Sequence, residues 1–177
     1  MDRPEVVFLC TGNAARSVMA TVMFRARCDT IEARGAGTHV IEGHPMSVRT
    51  RTALARLGLA DPSHRSRQFW EPDAARADLI VAMAPEHVAW ARRTMPIAAG
   101  RTATLKRLVR DLPSVPLDRS LAARIAALDL AAVAPEDWEE VVDPAAGEQD
   151  AFDACAAELD PLIDALIAAL GYQSSSR

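Results

Sequence analysis

Three cysteines, Cys10, Cys28 and Cys155, are all that the 177 residues contain, and they make neither a CxxC pair nor a spacing that suits zinc. A disulfide framework and a cysteine-based metal site are thereby excluded, and no cofactor motif takes their place. Long apolar runs are missing too. The opening Met1-Asp2-Arg3-Pro4-Glu5 is polar and the run after it is only as long as a strand, so neither a secretory signal nor a membrane-spanning segment is expected. Aromatic residues are scarce, at 5%, and none interleaves with the arginines that crowd the first half. With a net charge of −4, this argues against nucleic acid as a partner, which usually calls for a basic face or stripe. Arg49, Arg51 and Arg56, like Arg65 and Arg67, read as solvated helix and loop faces. No internal repeat is present. These absences point to a cytoplasmic protein with no membrane partner, in a compartment where a thiol stays reduced.

What is present is the composition of a globular protein, 50% hydrophobic and 25% charged, long enough to bury about two-thirds of its unfolded surface. A single domain over residues 1–172 is expected, with a flexible tail at 173–177. Residues 6–10 are a continuous apolar run that suits a central parallel strand. A helix is predicted over 18–28, capped by Ser17, with an apolar face alternating with a basic one. Further strands are predicted at 30–36, 78–83 and, more weakly, 102–109. A helix over 47–57 should carry Val48, Ala53, Leu54 and Leu57 inward, and another should start at Pro85 and run to 94. Alternating strands and helices imply α/β architecture, three layers with a four-stranded parallel sheet between helices. Residues 112–142 break the pattern with prolines and acids around one short helix at 121–130, and read as a helical insertion. The last helix, 149–170, contains Pro161, which predicts a kink or two abutting helices.

Cys10 ends the first apolar run and opens Cys10-Thr11-Gly12-Asn13-Ala14-Ala15-Arg16-Ser17, a C-x5-R-S loop between a predicted strand and a predicted helix. A loop this short, entering a helix, turns backbone N–H groups inward, and the unpaired donors at the helix start add the positive end of a dipole. A tetrahedral oxyanion fits such a cradle. Arg16, one turn along, can grip two anion oxygens with its planar fork. Gly12 permits close backbone approach or positive φ, and Asn13 tolerates the left-handed region. The donors, the guanidinium and the Ser17 hydroxyl together favour a thiolate on Cys10, and a thiolate beside a bound phosphate ester is set to attack it. A cysteine closing a hydrophobic strand is often only core, and C-x5-R alone is a weak pattern. The strand and helix on its flanks are what give it weight.

With these residues in view, the chain resembles the low-molecular-weight protein tyrosine phosphatase family, whose fold is shared by thioredoxin-coupled arsenate reductases. The resemblance runs through the strand and loop from Val7 to Ser17, then Gly35-Ala36-Gly37-Thr38, His64-Arg65-Ser66-Arg67-Gln68, the strand from Ala77 to Met83, and Val142-Asp143-Pro144 before the final helix. It implies a phosphatase hydrolysing phosphate monoesters, with protein phosphotyrosine or a small phosphate ester as substrate, through a phosphocysteine intermediate and without cofactor or metal. By the same resemblance Cys10 is the nucleophile, and the N–H groups of Thr11, Gly12, Asn13, Ala14, Ala15, Arg16 and Ser17 bind phosphate with the Arg16 fork. Asp143 is then the general acid, which protonates the leaving oxygen and later deprotonates the hydrolytic water. Asn13, Ser17 and His64 are supporting residues that hold the loop and the thiolate.

The departures carry information. Ala15 stands where many members have a second cysteine that protects the nucleophile as a disulfide. Ala145 and Ala146 stand where tyrosine phosphatases usually have aromatics, so discrimination in favour of phosphotyrosine should be modest. Ala84 replaces an acidic residue that often follows the third strand, and Gly35 a serine near the cradle. Two other readings remain open on the sequence. One is a thiol-dependent arsenate reductase, although Met83-Ala84-Pro85-Glu86-His87 holds no relay cysteine; the other is a non-catalytic phosphate or phosphoprotein binder, which would need neither Cys10 nor Asp143. Trp138 either anchors the 112–142 segment or folds it over the cleft as a lid.

Overall fold

A computed structural model of the chain describes residues 3–173, and in it the first apolar run is strand β1 (Glu5–Cys10), buried along its whole length. β1 pairs in parallel with β2 (Glu32–Gly37) on one side and β3 (Leu79–Ala82) on the other. β4 (Thr102–Thr104) pairs in parallel with β3, giving the order β2-β1-β3-β4. The helices are α1 (Arg16–Arg25), α2 (Val48–Arg56), α3 (Glu71–Arg76), α4 (Pro85–Thr94), α5 (Leu105–Asp111), α6 (Leu121–Ala127) and α7 (Gln149–Ala169). Successive side chains of a strand point to opposite faces. Thus Val6, Phe8 and Cys10 enter one core with residues of α1, α5 and α7, while Val7 and Leu9 enter a second with Phe69, Ala74 of α3 and Ala91 of α4. The fold is the three-layer α/β/α arrangement with a four-stranded parallel sheet.

Several elements differ from the sequence reading, each for a local reason. α1 starts at Arg16, two residues before the predicted start, and is buried from Arg16 to Phe24, so it has no basic face. Arg27, just beyond it, is buried as well and donates to Asp160 O at 2.9 Å and Asp164 Oδ1 at 3.2 Å. The predicted strand over 102–109 stops after three residues, because the Thr104 hydroxyl accepts from Arg107 N at 3.2 Å and caps α5. Ser47 caps α2 in the same way, from Thr50 N at 3.0 Å, and the phase this sets leaves Val48 71% exposed and Leu57 36% exposed. Only Thr50, Ala53 and Leu54 of α2 are buried. α3 was not predicted.

α7 is one continuous helix through Pro161. Pro161 lies on the exposed side, and the buried stripe Phe152, Cys155, Leu159, Ile163 and Leu166 holds both halves to the core. The 112–142 segment forms a 3-10 turn at Leu112–Ser114, α6, and a second 3-10 turn at Asp137–Glu139. Arg124, only 2% exposed, ties it down by donating to Leu112 O at 3.1 Å and Ala169 O at 2.8 Å. Apart from Gln173, the expected tail lies outside the described residues. Among these no helix is long and apolar enough to cross a membrane.

Candidate active site

Ligand sites of doubly wound folds sit at the carboxyl ends of the strands. Here Cys10 closes β1 and the loop to α1 crosses the top of the sheet. Gly37 lets the loop lie against the end of β2: a Cβ there would fall 2.4 Å from Thr11 O. The left-handed residue of the loop is Asn13, at φ 49°, and Gly12 does not have positive φ. Among the described residues no backbone N–H from Gly12 to Ser17 has an acceptor within the protein. The donors an oxyanion needs are therefore uncommitted.

Asn13 is fully buried and holds the loop through every polar atom of its side chain. Arg67 N donates to Asn13 Oδ1 at 3.1 Å, which fixes the amide orientation, and Asn13 Nδ2 donates to Ser17 Oγ at 2.9 Å. Its carbonyl oxygen accepts from His64 Nε2 at 2.9 Å and Ser66 Oγ at 2.8 Å. A hydroxyl that accepts from Asn13 has its own proton left to give, and Cys10 Sγ lies 3.0 Å from Ser17 Oγ. Ser17 thus does not cap α1 as the sequence suggested. The N-cap is Ala15, without a side-chain bond, and Ser17 faces the thiol from the first turn.

Arg16, 3% exposed, donates from one terminal nitrogen to Val141 O at 3.1 Å and from the other to Asp143 Oδ2 at 2.8 Å. The fork is thus held at the floor of the site, and Asp143, half-exposed, stands over it. Val141 N donates to Met83 O at 2.8 Å, so the acidic loop is stitched to the end of β3. Upstream, Arg107 Nε donates to the buried Glu139 at 2.9 Å, and the Thr104 hydroxyl donates to the same carboxylate. Burial alone would push Glu139 up, but the bonds from Arg107, Thr104 and the Glu136 N–H outweigh it and hold its carboxyl below the usual range. The Trp138 ring lies under the guanidinium groups of Arg110, at 4.6 Å, and Arg107, at 5.7 Å. Trp138 is an anchor of this segment and not a lid.

The structure brings Cys10, Asn13, Arg16, Ser17, His64 and Asp143 together, as the sequence suggested. It adds residues to which the sequence reading gave no role in the site. Thr50 Oγ1 donates to Ala14 O at 2.8 Å, and Ser66 and Arg67 hold Asn13. His64 is half-buried; burial lowers its pKa, against the opposing bond to Asn13 O. His87, at the start of α4, is almost fully buried, with Nε2 2.9 Å from Thr11 Oγ1. Its Nδ1 is buried without a partner, so the proton belongs on Nε2, which donates to Thr11.

Burial first, then the Arg16 charge, pushes His87 down to about 4, with Asp143 opposing. Between that value and the ordinary 6.5 the unfolded chain binds the extra proton, so stability rises with pH across this window. The contribution, at most about 3 kcal/mol, is complete above the window and is lost as pH falls through it. Urea midpoints measured from pH 7 to pH 4 should therefore fall less steeply in His87→Gln than in the parent chain. Identical slopes would contradict the buried neutral imidazole.

Of the remaining thiols, Cys155 lies near enough to Cys10 and Arg16 to feel their charges. Both Cys28 and Cys155 are buried and free, and burial pushes Cys155 up to about 12. Gly35 keeps room beside the cradle, since a Cβ there would lie 2.9 Å from Asn13 Nδ2 and 3.0 Å from Thr21 Oγ1.

Comparison with known proteins agrees with this geometry. Residues 5–118 match the family model of the low molecular weight phosphotyrosine protein phosphatases. A low molecular weight protein-tyrosine-phosphatase of Streptomyces coelicolor is 34% identical over 182 residues, covering 98% of this chain and 97% of its own. The YwlE arginine phosphatase from Geobacillus stearothermophilus superimposes with a TM-score of 0.76 at 26% identity, over 95% of this chain and 93% of its own. A low molecular weight protein tyrosine phosphatase from T. tengcongensis does so with a TM-score of 0.73 at 29% identity, over 93% and 98%. The oxyanion loop after β1, the parallel sheet and these matches together establish that the chain is a hydrolase of the low molecular weight phosphotyrosine protein phosphatase family, whose members act on phosphorylated protein.

Proposed function

We propose that Cys10 attacks the phosphorus of a bound phosphate ester, forming the S–P bond as the bond to the leaving oxygen breaks. The observation that carries this reading is that one short loop holds Cys10 Sγ, the Ser17 hydroxyl 3.0 Å from it, N–H groups with no acceptor in the protein, and Arg16 paired with Asp143. The Ser17 proton supports the thiolate, and the loop donors and the Arg16 fork hold the equatorial oxygens as negative charge redistributes. An anion in the cradle competes with Asp143 for the fork and leaves the carboxyl facing the leaving oxygen. Asp143 gives its proton to that oxygen, then takes one from the water that breaks the S–P bond, restoring thiolate and acid. Thr11 adds a hydroxyl donor at the rim, because His87 Nε2–H fills its acceptor side. A thiolate of this kind needs a reducing compartment, which favours the cytoplasm.

Asp143→Asn tests the acid. Turnover of an alkyl phosphate should fall by at least about 10²-fold, and of an aryl phosphate with a good leaving group by much less in the first step, since such an oxygen leaves without a proton. Equal losses in burst-phase rates for the two esters would remove Asp143 from that role.

Phosphotyrosine in protein is the first substrate to try, by the family and by the tyrosine phosphatases among its relatives. Phosphoarginine is a second reading with its own observation. Ala145 and Ala146 are exposed where stacking aromatics are expected, and Glu86, Asp137 and Glu140 line a cavity of about 220 Å³ that also touches Ala84. Glu140 lies 3.9 Å from Arg16. Carboxylates at that edge suit a cationic guanidinium leaving group better than a phenol. Initial rates on a phosphotyrosine peptide and a phosphoarginine peptide of the same sequence decide between them.

A further inference from the structure

A second cavity, of about 250 Å³, opens beside the cradle between the end of β2 and the first turns of α4, and Thr11 is shared by both. Its aromatic wall is the pair His39 and Trp90, whose rings meet edge-on with centroids 6.1 Å apart. Nothing in the mechanism above uses either residue.

Each part of this groove is held in place before anything enters it. The Trp90 ring is braced from behind by the buried Phe69, at 6.4 Å between centroids. The His39 ring is tied through Nδ1 to Thr38 Oγ1 at 3.0 Å, and Thr38 is buried. His39 N donates to Thr11 O at 3.0 Å, so the wall is joined directly to the oxyanion loop. On the opposite side the buried His87 fixes the Thr11 hydroxyl. Rigid aromatic surface that is already ordered gives contact at little entropic cost. Glu86 and Arg93, both exposed, bracket the opening with opposite charges.

We propose that this groove is a substrate subsite, taking a large apolar or aromatic side chain that neighbours the phosphorylated residue of a protein substrate. The proposal rests on the phosphatase reading of the cradle and adds to it. The phosphorylated side chain is committed to the Cys10 cradle, and the groove meets that cradle only at Thr11, so the side chain that fills it belongs to another residue of the same segment. An extended peptide advances about 3.4 Å per residue, which carries the next one or two side chains past Thr11. The cavity has the size of one large side chain, and its aromatic wall supplies the recognition surface that Ala145 and Ala146 do not. The charges at its mouth suit a peptide backbone crossing between them and leave the interior to an apolar group.

The test is kinetic, on the full chain. A phosphopeptide with phenylalanine on either side of the phosphorylated residue is compared with the same peptide carrying alanine there, and with an aryl phosphate that has no flanks. The phenylalanine peptide should show kcat/KM up to about tenfold higher than the alanine peptide, mostly through KM. His39→Ala removes one wall without touching the core, and Trp90→Leu removes the other while keeping apolar packing against Phe69. Each should bring the peptide ratio close to one and leave the aryl phosphate within about twofold of the parent. A parent ratio near one, a ratio that survives both variants, or equal losses on all three substrates would overturn the subsite. Absence of aryl phosphate hydrolysis by the parent chain would instead overturn the catalytic reading, and the subsite with it.

Discussion

Cys10→Ser should give a folded protein whose turnover of any phosphate monoester is lowered by more than about 10⁴-fold. The substitution exchanges sulfur for a smaller oxygen at a position that is 3% exposed, at the end of a strand whose other residues are equally buried, so the sheet has no reason to change. The chemistry does change. A serine hydroxyl needs a base to become a nucleophile, and the group against it is the Ser17 hydroxyl, itself committed as an acceptor to Asn13 Nδ2. The N–H groups of the loop and the Arg16 fork remain, so the variant should still bind inorganic phosphate. Circular dichroism, phosphate binding and kcat measured together separate the outcomes. Full activity would remove the covalent mechanism, and lost phosphate binding would mean that the cysteine shapes the loop.

Arg16→Lys is the second large effect, with kcat/KM reduced by about 10² to 10⁴-fold. Arg16 spans two partners from a buried position, Val141 O with one nitrogen and Asp143 Oδ2 with the other. A lysine offers a single ammonium on a flexible stem. It can meet the charge of an anion but not two oxygens at once, nor can it hold the acidic loop while doing so. The loss should appear in kcat as well as in KM, because the fork matters most when the phosphoryl group is in transit. Near-normal kinetics with lysine would show that charge alone is needed at this position.

The cradle was readable because it is local. Eight consecutive residues supply the thiol, the loop donors, the fork and the supporting hydroxyl, and the strand and helix on either side are written next to them. Asp143 is different. It meets Arg16 from 127 positions away, and an Asp-Pro pair carries no sign of this; only the resemblance to a family placed it. His87 and Thr50 were not readable at all, since a single histidine in an amphipathic helix and a single threonine near a helix start look like ordinary surface or core.

The fold divides in the same way. The continuous apolar run of β1 and the Pro85 start of α4 were legible, because pattern and punctuation agree there. β4 is shorter than the sequence suggests, because Leu105-Lys106-Arg107-Leu108-Val109 suits a strand or a helix and the deciding event is the Thr104 cap. α1 was given a basic face it lacks, since tertiary burial between the sheet and α7 overrides what its arginines suggest. The break expected in α7 did not occur, because packing on one side of the helix outweighs one lost hydrogen bond on the other.

The central claim is a covalent bond between Cys10 and phosphorus, and the most direct test is to look for it. In Asp143→Asn a good aryl leaving group departs without an acid, while the water that should break the S–P bond has lost its base, so the intermediate should accumulate. Rapid quench of this variant in alkaline denaturant after mixing with an aryl phosphate, followed by mass spectrometry of its peptides, should find one phosphoryl group on the peptide containing Cys10 and none when Cys10 is alanine. An unmodified Cys10 peptide throughout a burst of released phenol would contradict the account, because phosphate would then be reaching water without passing through the thiol.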